Sequence, residues 1–287
     1  MRWWKRIVLT IAVLILMIIS SKIVQSEEHP TRLLNDNFRQ DFTILEKLNS
    51  LSDIISQSPS DSLPALKIHP LPKSLATWND RTNRGDYFDH IESTPVGYLV
   101  WSQFPLKIYL EKPNNTDNDT ASIRRWQQWV QSVRQAIAEW NVYLPLTEIE
   151  DRTIADIIIE RSQIDRDVQL NPDTGLYDIP RAIAAQATYD FYLQPEHSTL
   201  AHRMTIKINP ASVGRSLLAT VRHELGHALG IWGHSPYETD ALYYSQVREP
   251  PPISQRDINT LKKIYQQPTR LGWTVRASDP SPLLSGI

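Results

Sequence analysis

The stretch from residue 223 to residue 234 constrains this chain more than any other part of its sequence. His223 and His227 are four residues apart, so on an α-helix they lie one turn apart and about 40° around the axis. Two imidazoles placed in this way reach one tetrahedral Zn²⁺, and Glu224 can reach a water molecule beside it. Gly230 can end the helix in a left-handed conformation, after which the chain can turn His234 toward the same metal. The stretch therefore predicts a zinc site.

An ordinary amphipathic helix with solvent-facing histidines is the alternative interpretation of this stretch. Leu225, Ala228 and Leu229 do supply an apolar face for such a helix. The three histidines, however, have no packing reason to cluster. Metal binding is therefore the interpretation that accounts for the whole pattern.

The composition limits the chemistry that the chain can use. Its 287 residues are 41% hydrophobic, which is enough for one substantial core with peripheral segments. The 30 basic and 32 acidic residues are mixed along the sequence, so no nucleic-acid footprint is present and nucleic acid is not expected as a partner. The chain has no cysteine, so a metal site must use His, Asp or Glu.

The N-terminus has the pattern of an export signal. Arg2, Lys5 and Arg6 precede an apolar run over residues 7–19, which as a helix would span only about 20 Å of a hydrocarbon core about 30 Å thick. Residues 1–26 are therefore predicted to be a signal peptide or a membrane anchor, with membrane association through residues 7–24. Both versions predict an exported protein, either secreted or periplasmic, or anchored to the membrane.

Three further segments flank or precede the expected main domain. Apolar residues at helical spacing predict an amphipathic helical segment over residues 27–57. Prolines interleaved with serines predict a mostly unstructured linker over residues 58–95. Residues 271–287 are expected to be a tail.

Residues 96–270 are predicted to form one α+β domain. Alternating or continuous apolar residues predict four strands, over residues 106–110, 155–160, 185–193 and 203–209. Apolar residues at helical spacing predict a long helix, a helix with the histidines and a C-terminal helix, over residues 122–142, 217–229 and 253–266. Ser254 as N-cap and Asp257 three residues later mark the start of the last helix. The expected architecture is a mixed, twisted sheet packed against these helices.

Three motifs between residues 223 and 258 are similar to those of a known family. The pattern His-Glu-x-x-His-x-x-Gly-x-x-His of the metzincin metalloproteases is matched at positions 223, 224, 227 and 230. Residues 241–244, Ala-Leu-Tyr-Tyr, resemble the Ala-Leu-Met-Tyr turn of the matrixin branch. Residues 253–258, Ile-Ser-Gln-Arg-Asp-Ile, resemble the opening of the matrixin C-terminal helix.

The resemblance is to the catalytic domain of matrix metalloproteinases and covers about residues 96–266. It implies a metzincin (zincin-like) fold and a zinc-dependent endopeptidase that acts on protein or peptide substrates. The metal ligands that it implies are His223, His227 and His234, with Glu224 as the catalytic general base for a metal-activated water. An extended peptide is expected along an edge strand at residues 205–209, and Tyr244 could donate a hydrogen bond to the oxyanion.

The chain departs from the matrixin pattern in three places. The third histidine, His234, falls one residue late, and Tyr243 occupies the position of the family's methionine. Because the chain has no cysteine, it cannot be held inactive by a thiolate ligand. These departures leave open a water molecule or a carboxylate as the third ligand, with Glu238, Asp240 and Glu249 as the candidate carboxylates.

Two further alternatives concern function and additional metals. The chain could be a non-catalytic, zinc-stabilised binding protein of the cell envelope, although a structural site would not need Glu224 as a base. Four aspartates could bind Ca²⁺, but an acidic, solvated loop is the commoner meaning of such a run, so calcium is not predicted; they are Asp165, Asp167, Asp173 and Asp178. His197 and His202 are expected to be ordinary surface or core residues.

Overall fold

The helices and strands of the described residues follow the apolar patterns of the sequence. The computed structural model describes residues 63–113, 120–164, 184–194, 198–245 and 247–275, with the backbone of 169–170 and 177–178. The predicted leader or anchor, the amphipathic segment 27–57 and most of the acidic loop lie outside these ranges. Within the described residues, no helix is both long enough and apolar enough to cross a membrane.

Seven strands and four α-helices make up the described part of the chain. The strands are β1 (Leu106–Leu110), β2 (Leu146–Ile149), β3 (Ile157–Arg161), β4 (Gln169–Leu170), β5 (Tyr177–Asp178), β6 (Ala185–Gln194) and β7 (Thr199–Ile208). The helices are α1 (Lys73–Thr77), α2 (Thr120–Asn141), α3 (Gly214–Ala228) and α4 (Gln255–Tyr265). The four strands and three helices predicted over residues 96–270 are all present, and α1, β2 and the short pair β4–β5 are additional.

Five strands form one mostly parallel sheet in the order β2-β1-β3-β7-β6. Only β6 runs antiparallel, paired with β7 along its whole length from Ala185 to Gln194. The register places Ile108, Ile157 and Met204 side by side on the three inner strands, and all three side chains are fully buried. This row of large apolar side chains forms the middle of the core.

The predicted substrate-binding edge at residues 205–209 is wrong. Residues 205–208 belong to β7, which pairs with β3 on one side and with β6 on the other, and residue 209 follows the strand. Among the residues that the structure describes, the antiparallel strand β6 therefore forms the free edge on this side of the sheet. The sequence indicated a strand there, but strand order depends on contacts between distant segments, which a local pattern does not report.

The long helix α2 holds the histidine-bearing helix α3 against the sheet. Its buried face consists of Trp129, Val133, Ala136, Ile137 and Trp140, at the spacing expected of an amphipathic helix. The indole N–H of Trp140 donates to the carbonyl of Arg222 at 2.9 Å. The guanidinium of Arg222 in turn makes two hydrogen bonds to Glu139, of 2.6 and 3.1 Å. One indole and one ion pair thus fix the position of α3 on α2.

The segments expected to be linker and tail pack against the domain over their described parts. Leu75, Tyr87 and Ile91 are buried, and the N–H of Lys67 donates to Thr269 at 3.1 Å. At the other end, Leu271 is buried and the N–H of Leu200 donates to Trp273 at 3.0 Å. The packed unit therefore extends beyond residues 96–270 in both directions. Prolines disfavour regular helices and strands, but they do not prevent the side chains between them from entering a core.

His202, which was expected to be an ordinary surface or core residue, is a core residue of β7. Its side chain is 2% exposed and stacks on Trp101, with ring centroids 3.7 Å apart. Its Nε2 atom has no hydrogen-bond partner among the described residues. Burial lowers the pKa of His202 to about 3.

This depressed pKa predicts a loss of stability in acid. Below an ordinary histidine pKa of about 6.5 the unfolded chain binds a proton that folded His202 does not bind. The free energy of unfolding should therefore fall by at most about 1.4 kcal/mol per pH unit between pH 6.5 and 3. Urea unfolding of wild type and His202→Gln, both with a chelator present, measures the contribution of His202 to the pH dependence of the free energy of unfolding. The variant should show the smaller slope against pH, and equal slopes would contradict the assignment.

Candidate metal centre

Helix α3 carries two of the three histidines, and its C-terminal end is fixed by two aromatic donors. The indole of Trp101 donates to the carbonyl of Ala228 at 2.9 Å, and the phenol of Tyr265 donates to Leu229 at 3.0 Å. These contacts satisfy carbonyl groups that a helix end leaves without an intrahelical partner. The end of the helix near His227 is therefore held on both sides.

Backbone carbonyls orient the imidazoles of His223 and His227. The Nδ1 of His223 lies 2.9 Å from the carbonyl oxygen of Ala241, and the Nδ1 of His227 lies 2.7 Å from that of Ile231. Because a carbonyl oxygen only accepts, each Nδ1 carries the proton and each Nε2 keeps its lone pair. The two Nε2 atoms lie 3.0 Å apart. Two lone pairs held this close repel each other, and a metal ion shared between them would relieve that repulsion.

A glycine-bracketed turn brings His234 to the other two histidines. Gly230 has φ +124°, and the turn continues to Gly233, with φ +154°. A Cβ on Gly233 would lie 2.2 Å from the carbonyl oxygen of His90, so only glycine fits this close approach. The ring of His234 lies 5.2 Å from that of His223 and 4.9 Å from that of His227, measured between centroids.

The three histidines form a donor set that suits a zinc ion. One ligand atom from each of His223, His227 and His234 lies within 4.8 Å of the others. Burial lowers the pKa of His223 to about 4, with a further contribution from His234, and burial also lowers the pKa of His227 well below its usual value. Neutral imidazoles are the form that binds metal, and three nitrogens leave a fourth tetrahedral position open. His223 is half-buried, His227 is buried and His234 is exposed, so the cluster opens to solvent on one side.

The carboxylate alternatives for the third ligand lie outside this cluster. Glu238 and Glu249 are exposed. Asp240 is fully buried, but its carboxylate accepts from Ser235 at 2.5 Å and from Arg256 at 2.6 and 2.9 Å. Among the described residues, the histidines alone make up the group of three or more candidate ligands.

Glu224 lies next to the histidines in an apolar setting. Its side chain is buried, and burial raises its pKa to about 8, opposed by a hydrogen bond from the backbone N–H of Ala187. Ala187 belongs to the edge strand β6. The carboxylate is thus held between the metal-binding helix and the free edge of the sheet. A desolvated carboxylate binds protons more strongly than one in water.

A pocket of about 190 Å³ opens beside His223 and Glu224. Small and apolar residues make up much of its wall, including Ala184, Ala185, Ala219, Val247 and Pro250. Tyr243 and Tyr244 also line it, and their rings lie 4.5 Å apart. The side chain of Tyr244 is 67% exposed, so it is available to a bound molecule.

Sequence reasoning identified Asp257 as part of a helix cap but missed that it also holds the turn beneath His223. The carboxylate of Asp257 accepts from the N–H groups of Ala241 at 3.0 Å and Leu242 at 3.4 Å, besides capping α4 through Ser254. The predicted capping box is therefore present, but it also ties α4 to the turn whose carbonyl orients His223. Hydrogen bonds between Asp257 and residues that are 15 and 16 positions away cannot be predicted from the residues next to it in the sequence.

A helix with His-Glu-x-x-His and a third histidine after a glycine turn define the zinc-peptidase class of site. The sequence model of the matrixin family matches residues 114–266, which is more than half of the chain. The chain therefore belongs to the matrixin family, whose members are zinc metalloendopeptidases that act on proteins or peptides. None of the curated proteins compared with the chain matches it.

The late position of His234 yields a prediction about the third ligand. Replacing His234 with alanine should lower zinc affinity by more than the 10–100-fold typical of residues that only orient ligands. Competition with a chromophoric chelator measures this affinity directly. Glu238→Ala is the matched control, because Glu238 lies on the same loop and should leave the affinity unchanged. The reverse result, with zinc lost from Glu238→Ala and kept by His234→Ala, would overturn the assignment.

Proposed function

We propose that His223, His227 and His234 hold a catalytic Zn²⁺ and that Glu224 is the general base of a peptide-bond hydrolysis. The observation that carries this proposal is a group of three imidazoles of which one, that of His223, lines a pocket together with the buried carboxylate of Glu224. A binding protein with a purely structural metal needs no buried carboxylate beside the ligands. The non-catalytic alternative therefore leaves the burial of Glu224 without an explanation.

The reaction divides between the metal and Glu224. When bound, Zn²⁺ supplies a Lewis acid that lowers the pKa of a water molecule to about 7 and polarises the scissile carbonyl. Glu224 takes a proton from the attacking water as the oxygen adds to the peptide carbonyl carbon. It then delivers this proton to the nitrogen of the leaving amine as the C–N bond breaks.

The position of Glu224 suits both proton transfers. The N–H of Ala187 anchors the carboxylate to β6, so it does not have to be ordered again in each turnover. From this one position the carboxylate can take the proton of the water and then give it to the leaving amine. The exposed phenol of Tyr244 at the pocket rim is a candidate donor to the oxyanion that forms on the carbonyl oxygen.

The free edge of β6 is the surface along which we propose that the peptide binds. An edge strand offers unpaired N–H and C=O groups, and an extended peptide can add to them as a further strand. The pocket lies at the start of β6, between Ala184, Ala185 and the metal-binding helix. A peptide on this edge would place one side chain in the pocket, and the small, apolar wall residues favour an apolar side chain there.

The general-base role predicts a variant that keeps the metal and loses catalysis. Glu224→Gln removes the base without removing a ligand, so zinc content should stay at one ion per chain. Turnover of a peptide substrate should fall about 10²–10⁴-fold, the usual contribution of general-base catalysis. Glu150→Gln, the same change at an exposed residue that directly follows β2 and pairs with Lys112, is the matched control. Wild-type turnover in Glu224→Gln would remove Glu224 from the mechanism.

We also propose that residues 1–26 export the protein, either as a cleaved leader or as an anchor. The support is the charged and then apolar N-terminal sequence. A reporter fused after Ser26 should be found outside the cytoplasm. Washing membranes at high pH distinguishes the two forms, because only an anchored reporter stays with the membrane. A reporter retained in the cytoplasm would contradict both forms.

A further inference from the structure

The segment 87–92 lies before the region that the family model matches, yet it contacts two parts of the metal centre. The N–H of Glu92 donates to the carbonyl of Trp232 at 2.8 Å, and Ile91 pairs with Gly233 in an antiparallel bridge. Both partners lie in the turn that delivers His234. The position of this turn therefore depends on a segment more than 130 residues earlier in the chain.

Tyr87, at the start of the segment, makes the second contact. Its phenol donates to the Oδ1 atom of Asp257 at 2.6 Å, and its N–H donates to the hydroxyl of Thr260 at 3.0 Å. Tyr87 is 2% exposed and Asp257 is fully buried. Burial and the neighbouring carboxylate raise the pKa of Tyr87 well above its usual value, so the phenol stays a donor.

The carboxylate of Asp257 connects Tyr87 to His223 through a chain of hydrogen bonds. Its Oδ2 atom accepts from the N–H of Ala241, and the carbonyl of Ala241 accepts from the Nδ1 of His223. Without the phenol of Tyr87, the Oδ1 atom keeps one long bond, 3.4 Å from the N–H of Leu242. A buried carboxylate oxygen that loses its closest donor shifts toward its remaining donor, which for Oδ1 is the N–H of Leu242 in the turn beneath His223.

We propose that Tyr87 is a positioning residue of the metal centre, acting through Asp257 on the orientation of the His223 ring. The segment 87–92 is then part of the metal site, because it fixes both the turn beneath His223 and the turn that carries His234. This inference rests on the metal ligands of the proposed function. Replacing a group that orients a zinc ligand typically changes zinc affinity 10–100-fold. Tyr87 is separated by two hydrogen bonds, through Asp257, from Ala241, whose carbonyl orients His223. We therefore expect an effect at the lower end of that range.

The test is the zinc dissociation constant of the full chain, measured by chelator competition with no peptide present. Tyr87→Phe removes one hydroxyl and should weaken zinc binding about tenfold. Thr269→Val is the matched control: it removes a fully buried hydroxyl, whose partners, the carbonyl of Val96 and the N–H of Leu271, orient no histidine. This control should bind zinc within about twofold of wild type. Thermal unfolding of each variant with chelator present separates a change of stability from a change at the metal.

A double-mutant cycle tests whether Tyr87 acts through Asp257. Asp257→Asn alone should weaken zinc binding more than Tyr87→Phe does, and adding Tyr87→Phe to it should cost less than about twofold further. Multiplicative effects in the double variant would overturn the proposal, as would wild-type zinc binding by Tyr87→Phe. If the wild-type chain itself binds no zinc, the proposed function fails. If wild type binds zinc and Tyr87→Phe binds it equally well, this inference alone fails.

Discussion

The orientation of two imidazole rings by backbone carbonyls is the constraint on which the rest of the site depends. Two helical positions four residues apart bring the rings together, but the direction of each ring is decided by Ala241 and Ile231. Neither carbonyl belongs to the helix that carries the histidines. Two turns must therefore be held in place after the helix ends, and much of the surrounding packing serves this end, from the capping carboxylate of Asp257 to the glycines of the first turn.

Much of the fold could be predicted because its signals are local. The spacing of apolar residues indicated the long helix, the capping pattern indicated the start of α4, and alternation indicated four of the strands. Strand β2 has only four residues and was missed. Strand order and the packing of residues 63–95 could not be predicted, because both arise from contacts between segments far apart in the chain. The free edge was assigned to β7 for the same reason.

The candidate site likewise contains residues that could be predicted from the sequence and residues that could not. The four-residue spacing and the glycines were sufficient to bring His223, His227 and His234 together, even with the third histidine one residue late. The residues around them were not accessible from the sequence. Asp257 was recognised only as a cap, since a carboxylate with four donors looks like any other N3 aspartate. Tyr87 stood in a proline-containing stretch with no regular pattern at all.

The parallel order of the sheet has a practical consequence for anyone who isolates this domain. The region recognised by family comparison begins at residue 114, after β1 has ended at Leu110. Yet β1 is an inner strand, hydrogen-bonded to β2 on one side and to β3 on the other. A fragment that begins at residue 114 would lack β1, so β2 and β3 would each lose a strand with which they pair in the sheet. The residues that pack together thus extend beyond the residues that the family model matches. A fragment made for expression should therefore include all the residues that pack together.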